Sequence, residues 1–138
     1  MEFSRRDTLA LGLGAAALTV LPIRALAAAD DAIAAFTGGA DVAEGGVTLT
    51  APEIAENGNT VPISVEAEGA AEIMVLAMGN PTPGVATFKF GELAGAHSAS
   101  TRIRLAGTQD VVAIAKMADG SFAKASSTVK VTIGGCGG

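Results

Sequence analysis

Short runs of alternating apolar and polar residues fill most of the chain after residue 46, and this period-two pattern predicts β-strands. Seven runs are predicted strands: 47–50, 61–66, 85–90 and 100–105 alternate, and 72–78, 111–117 and 127–133 complete the set. The run 72–78 is almost continuously apolar, which is typical of a central strand buried on both faces. Turn residues at 57–59, 79–84 and 107–110 separate several of the runs, and Asp119-Gly120 predicts a hairpin before the last one. The pattern therefore predicts a mainly β fold, an immunoglobulin-like antiparallel β-sandwich.

One segment ahead of the strands has helical rather than strand spacing. Residues 30–36 begin with Asp30 and Asp31, continue with apolar residues, and end before Gly38-Gly39. Acidic residues in the first turn and glycine after the last turn favour a short helix. We expect this helix to precede the sandwich.

The first 27 residues have the composition of an export signal. Arg5 and Arg6 precede an apolar run at 9–21, and the small-residue site Ala25-Leu26-Ala27 follows. Adjacent arginines are typical of signals exported by the twin-arginine (Tat) translocase. The apolar run is too short to cross a bilayer, which takes roughly 20 residues. We predict that 1–27 are removed, that 28–133 form the sandwich, and that the mature protein is periplasmic with no membrane attachment.

The net charge of the predicted mature chain argues against a nucleic-acid partner. The full chain carries 9 basic and 14 acidic residues, and removing 1–27 leaves it clearly acidic. Nucleic-acid binding needs clustered Lys and Arg, so no nucleic-acid partner is expected. Tryptophan and tyrosine are absent, which removes the usual platform for stacking bases.

The only cysteine lies in the last five residues, 134–138. Cys136 is flanked by Gly134 and Gly135 on one side and by Gly137 and Gly138 on the other. Glycine reaches most of the backbone conformational space, so this sequence predicts a flexible arm that carries a lone thiol. A single cysteine cannot form a disulfide within the chain, and it leaves a reactive thiol or an intermolecular disulfide between two copies as alternatives.

Other candidate residues indicate packing or solvent exposure rather than a site. His97 is the only histidine, with no metal-ligand or haem-attachment spacing around it, so no cofactor or metal is expected. Met74 and Met78 lie in or beside an apolar strand and are predicted to fill core space. Arg102 and Arg104 share one face of a strand by period two and are predicted to be outward-facing charges, with a docking patch as the alternative.

Three stretches resemble one known family: 54–62, 101–106 and the terminal Gly-Gly-Cys-Gly-Gly of 134–138, and Asn80-Pro81-Thr82-Pro83 also fits the pattern of that family. They are similar to SoxY, the sulfur-carrier subunit of the periplasmic thiosulfate-oxidising system. The resemblance implies that Cys136 covalently carries thiosulfate-derived sulfur and that the flanking glycines serve as tether and clearance. It implies a carrier that other enzymes act upon, rather than an enzyme.

The resemblance also implies a set of partners. A second β-sandwich subunit, SoxZ, would form a heterodimer with the chain. The haem enzyme SoxAX would attach thiosulfate, the hydrolase SoxB would release sulfate, and in many systems SoxCD would oxidise the remaining sulfur. From the residues alone, two alternatives stay open: a structural sandwich cross-linked through Cys136, and a thiol enzyme such as a sulfurtransferase.

Overall fold

The computed structural model describes residues 23–134, in which one helix precedes nine strands. The helix α1 spans Ile23–Thr37. The strands are β1 Val42–Glu44, β2 Thr48–Thr50, β3 Ile54–Ala55, β4 Val61–Glu66, β5 Ala70–Ala77, β6 Gly84–Lys89, β7 Ser98–Ile103, β8 Gln109–Met117 and β9 Phe122–Val131. The predicted mainly β class is confirmed. Within this part of the chain no helix is both long enough and apolar enough to span a bilayer.

The strands form two sheets that face each other. The larger sheet has the order β1-β9-β8-β5-β6, and the smaller sheet has the order β2-β4-β7. The long pairings are antiparallel, including the β8–β9 hairpin closed at Asp119-Gly120. This confirms the predicted antiparallel sandwich. Two short parallel pairings add to it, because β1 and β3 both lie along the outer edge of β9.

Three local expectations were wrong. β1 and β3 were not predicted, because strands of three and two residues are too short to show alternation. β9 begins at Phe122 and ends at Val131, so it starts five residues earlier than the apolar pattern indicated. α1 begins at Ile23, and its first turn contains no acidic residue. The alanine-rich residues before Asp30 favour helix strongly, which extends α1 towards the N-terminus.

Alternate positions of the two sheets form the main core. Fully buried residues of the larger sheet pack against fully buried residues of the smaller one: Ile73, Val75, Val111 and Val129 against Val61 and Val65. This is the period-two arrangement that the sequence indicated, with one face of each strand inward. The core holds β9 rigidly almost to its last residue.

A second apolar cluster lies on the other face of the larger sheet, where α1 covers it. Met74 and Leu76 of β5 pack there with Ile114 and Phe122, and Ile33 and Phe36 of α1 pack against them. The rings of Phe36 and Phe122 meet edge to face at 5.8 Å between centroids. β5 is therefore buried on both faces, which explains its continuous apolar sequence and confirms the central-strand prediction. The helix residues in this cluster all follow residue 27.

Candidate functional site

Gly134 is the last described residue and the only predicted site residue within the described range. Cys136, Gly135, Gly137 and Gly138 lie outside it. The site is therefore defined here by the structure that holds the chain as it approaches the cysteine. We call residues 130–134 the tail root.

On one side, the tail root is hydrogen-bonded to residues 53–58, which contain β3 and which we call the β3 segment. Four hydrogen bonds join the two: Lys130 N to Glu53 O at 2.9 Å, Thr132 N to Ala55 O at 3.1 Å, Thr132 Oγ1 to Glu56 O at 3.0 Å, and Gly58 N to Ile133 O at 2.7 Å. The last of these lies one residue before Gly134. Pairing thus continues beyond the end of β9, so the chain is held by its backbone up to the glycine tail.

On the other side, the tail root contacts residues 104–108, which we call the supporting loop. Val131 N donates to Thr108 Oγ1 at 3.0 Å. Leu105 N donates to Gly58 O at 2.8 Å, and this bond joins the supporting loop to the β3 segment. Leu105 itself is fully buried in the core. The tail root is therefore held between two segments that are also bonded to each other.

Two buried amide side chains support the loop from beneath. Asn80 is 3% exposed, and Gln109 Nε2 donates to Asn80 Oδ1 at 2.8 Å. The other amide bonds reach nearby backbone: Asn80 Nδ2 to Arg104 O at 2.9 Å, Ala106 N to Asn80 Oδ1 at 2.9 Å, Gln109 Nε2 to Gly107 O at 3.0 Å, and Gly79 N to Gln109 Oε1 at 2.9 Å. Because buried amides need partners, this network fixes the conformation of the supporting loop.

The supporting loop comes closest to the tail root at Gly134. A Cβ atom built on Gly134 would overlap Ala106 O and lie 3.3 Å from Ala106 C. The contact with Ala106 O is far inside van der Waals distance, and this oxygen belongs to the backbone. The structure therefore has no room for a side chain on this face of residue 134.

The two arginines considered from the sequence are both exposed, as predicted. Arg102 Nη1 donates to Thr60 Oγ1 at 3.3 Å. Arg104 follows the end of β7 and lines a cavity of about 230 Å³ together with Asn80 and Thr82. They lie at the same end of the sandwich as the supporting loop, to which Arg104 belongs.

The histidine and methionines have structural surroundings. His97 Nδ1 hydrogen-bonds to Ala70 O, and its ring lies 5.5 Å from the ring of Phe90 between centroids. Met74 is buried and Met78 is partly buried in the cluster beneath α1, which confirms their predicted packing role. Among residues 23–134, no group of three or more His, Cys, Asp or Glu side chains is placed to hold a metal ion.

Sequence reasoning missed the support of the tail root. Asn80 lies in a turn-rich run that also fits the family pattern, and Gln109 follows Gly107-Thr108 in another turn, but the sequence indicated no contact for either side chain. The sequence of a turn carries no sign that an amide points inward. The pairing of residues 80 and 109 depends on the distance between two loops in space.

Comparisons with known proteins agree with this architecture. The model of the family "Sulfur oxidation protein SoxY" matches residues 33–136. The solved structure of the sulfur carrier protein SoxY from Chlorobium limicola f thiosulfatophilum is similar, with 36% identity, a TM-score of 0.67, and coverage of 78% of this chain and 98% of that one. A superoxide reductase from Ignicoccus hospitalis shares the fold alone, with 14% identity, a TM-score of 0.56, and coverage of 63% and 80% of the two chains.

A search of curated proteins gave no match to the sequence. The family match extends over most of the chain, and the similar SoxY structure is covered almost completely. Both agree with the resemblance noted at 54–62, 101–106 and 134–138. The chain therefore belongs to the SoxY family of sulfur oxidation proteins.

Proposed function

We propose that this chain is a covalent sulfur carrier that binds thiosulfate-derived intermediates on Cys136 and presents them to separate enzymes. One observation carries the proposal: the SoxY family match runs from residue 33 to residue 136 and so ends on the chain's only cysteine. The similar solved structure from Chlorobium limicola f thiosulfatophilum is itself a sulfur carrier protein.

The proposed chemistry balances without a catalytic group on the chain. The Cys136 thiol and thiosulfate combine to give a cysteine S-thiosulfonate; one proton leaves to solvent, and two electrons pass to the haem enzyme SoxAX. Water then cleaves the terminal sulfone group as sulfate on the hydrolase SoxB and leaves a persulfide on Cys136. In systems that contain SoxCD, that enzyme adds oxygen atoms from water to the persulfide sulfur and accepts the electrons that this oxidation releases. No Lys, Arg or His lies among residues 132–138 to activate the thiol, so activation falls to the enzymes.

The described end of the sandwich suits a carrier mechanically. The tail root is bonded on two sides up to Ile133, so the thiol is attached to a rigid body. Consecutive Cα atoms are about 3.8 Å apart, so the Cα of Cys136 lies within about 7.6 Å of the Cα of Gly134. An enzyme that reaches this thiol must therefore approach the end of the sandwich closely.

The decisive experiment replaces the thiol and also relocates it. Cys136→Ser should abolish thiosulfate-dependent sulfate formation in a reconstituted system, while the thermal unfolding of the sandwich stays unchanged. A matched control adds Ser121→Cys to Cys136→Ser, which places an exposed thiol on the β8–β9 hairpin of the same fold. Intact-mass spectrometry should find sulfur adducts on the wild type and none on the control.

Three results would count against the proposal. Sulfate formation by the serine variant at the wild-type rate would show that Cys136 does not carry the intermediate. A uniform disulfide dimer without adducts would support the cross-linked structural sandwich instead. Turnover of thiosulfate by the isolated chain would indicate a thiol enzyme.

Export and partner association form part of the same proposal. Residues 1–27 direct export through the Tat translocase, and the mature chain joins a second β-sandwich subunit, SoxZ, in the periplasm. The mature protein should begin at Ala28 by N-terminal sequencing, and it should elute with SoxZ as a heterodimer in size-exclusion chromatography. A stable monomer that does not bind SoxZ at micromolar concentration would contradict the partner assignment.

A further inference from the structure

At Gly134 it is lack of space, and not a positive φ, that excludes a side chain. The glycines with positive φ are Gly38, Gly39, Gly45, Gly46, Gly69 and Gly120, and Gly134 is not one of them. Its backbone conformation therefore allows an L side chain, and only space forbids one. Gly107 and Gly95 also lack positive φ, and a Cβ built on either meets nothing within 4 Å.

The carbonyl that excludes a side chain at Gly134 cannot easily move away. Ala106 N donates to the buried Asn80 Oδ1, and the preceding residue, Leu105, is buried and bonded to Gly58 O. On the other side of Ala106, Gly107 O accepts from Gln109 Nε2. The Ala106 carbonyl thus lies on a loop that is anchored immediately before and after it.

The tail root is equally constrained from the opposite side. Ile133 O accepts a hydrogen bond from Gly58 N at 2.7 Å, and Thr132 N donates to Ala55 O at 3.1 Å. Moving residue 134 away from Ala106 O would strain or break these bonds. A methyl group at position 134 must therefore displace either the anchored loop or the paired tail root.

We propose that Gly134 is a positioning residue: its close approach to the Ala106 carbonyl sets the direction in which the chain leaves the sandwich towards Cys136. Only Gly135 lies between Gly134 and the cysteine, so a change of direction at Gly134 moves the volume that the thiol can reach. The expected effect on the loading of Cys136 with sulfur rests on the proposed carrier function. The direction that Gly134 gives to the chain does not depend on that function.

The geometric content is tested on full-length mature protein with a nitroxide attached to Cys136. Paramagnetic broadening of backbone amide signals maps where the label spends its time. Gly134→Ala should change the set of broadened amides around the end of the sandwich and speed hydrogen exchange at Gly58 N–H. Gly107→Ala, in the same loop but with open space, should leave both unchanged. An unaltered broadening pattern in Gly134→Ala overturns the proposal.

The loading consequence is tested with the purified haem enzyme and thiosulfate. Gly134→Ala should raise the KM for the carrier about tenfold and leave kcat within about twofold, because fewer encounters present the thiol correctly. Alkylation of Cys136 by iodoacetamide should proceed at the wild-type rate. A normal KM despite altered broadening would refute the positioning role. Alkylation slowed as much as loading would also refute it, because the loss would then come from a change in the thiol itself.

The two assays separate failure of this inference from failure of the carrier function. If the wild type accepts no sulfur from any partner enzyme, the proposed function fails, while the broadening pattern still decides whether Gly134 directs the tail. If the wild type is loaded and Gly134→Ala behaves like Gly107→Ala in both assays, the carrier function stands and the positioning role is refuted.

Discussion

Replacing Asn80 with alanine should destabilise the protein more than a substitution at an exposed turn residue usually does. The Asn80 side chain makes three hydrogen bonds: to Arg104 O, from Ala106 N and from Gln109 Nε2. Asn80 is 3% exposed, so water does not replace these bonds in the native geometry. Gln109 Nε2 keeps Gly107 O as an acceptor, but the Ala106 N–H and Arg104 carbonyl lose their side-chain partner.

The expected magnitude follows from the number of bonds. A hydrogen bond contributes about 1 kcal/mol net, so losing three lowers the free energy of unfolding by about 3 kcal/mol. For a domain of this size, about 4 °C of melting temperature is lost per kcal/mol, which predicts a fall of about 12 °C. The supporting loop should also loosen, because its carbonyl and amide groups lose their anchor.

Urea unfolding and amide hydrogen exchange test this reasoning together. Asn80→Ala should shift the unfolding midpoint strongly and speed exchange at Ala106 N–H. Asn57→Ala is the matched control, since the side chain of this exposed asparagine accepts a hydrogen bond from Asn59 N at 3.0 Å, and the loss of that bond should cost about 0.5 kcal/mol. A loss in Asn80→Ala as small as in the control, with Ala106 N–H exchange unchanged, would refute the structural role of the network.

Two further predictions concern the tail and the hairpin. Gly137→Val should slow enzyme-dependent loading of Cys136 without slowing its alkylation by iodoacetamide, because a branched side chain widens the chain beside the thiol; normal loading would mean that clearance is not needed there. The Ser121 hydroxyl and then the Ser121 N–H donate to Asp119 Oδ1, at 2.6 and 2.9 Å, and lower the pKa of Asp119. Ser121→Ala should therefore raise the pKa of Asp119 in an NMR titration of its carboxyl carbon. These bonds favour the charged form, so their stabilisation is present above the unfolded-state pKa and is lost as pH falls through the folded-state pKa; an unchanged titration would contradict the assignment.

The strands that could be predicted are those in which the order of apolar and polar residues follows which faces of the strand are buried. β4 alternates because only one of its faces is buried, and β5 is continuously apolar because α1 covers its second face. β1 and β3 could not be predicted, since their two or three residues pair with an edge of β9 that forms only after folding. The start of α1 was misplaced because acidic residues were interpreted as a first turn, whereas alanines before them continue the helix.

The sequence by itself determined the mainly β class, the hairpin at Asp119-Gly120 and the presence of one cysteine among glycines, because periodicity, turn chemistry and composition are local properties. Only the tertiary structure decided how the chain is held as it approaches that cysteine. The Asn80–Gln109 amide pair joins residues 29 positions apart, and the Ala106 carbonyl meets Gly134 across 28 positions. The glycine at 134 looks like its neighbours in sequence. Its requirement for empty space on one face arises from a backbone oxygen that folding brings beside it.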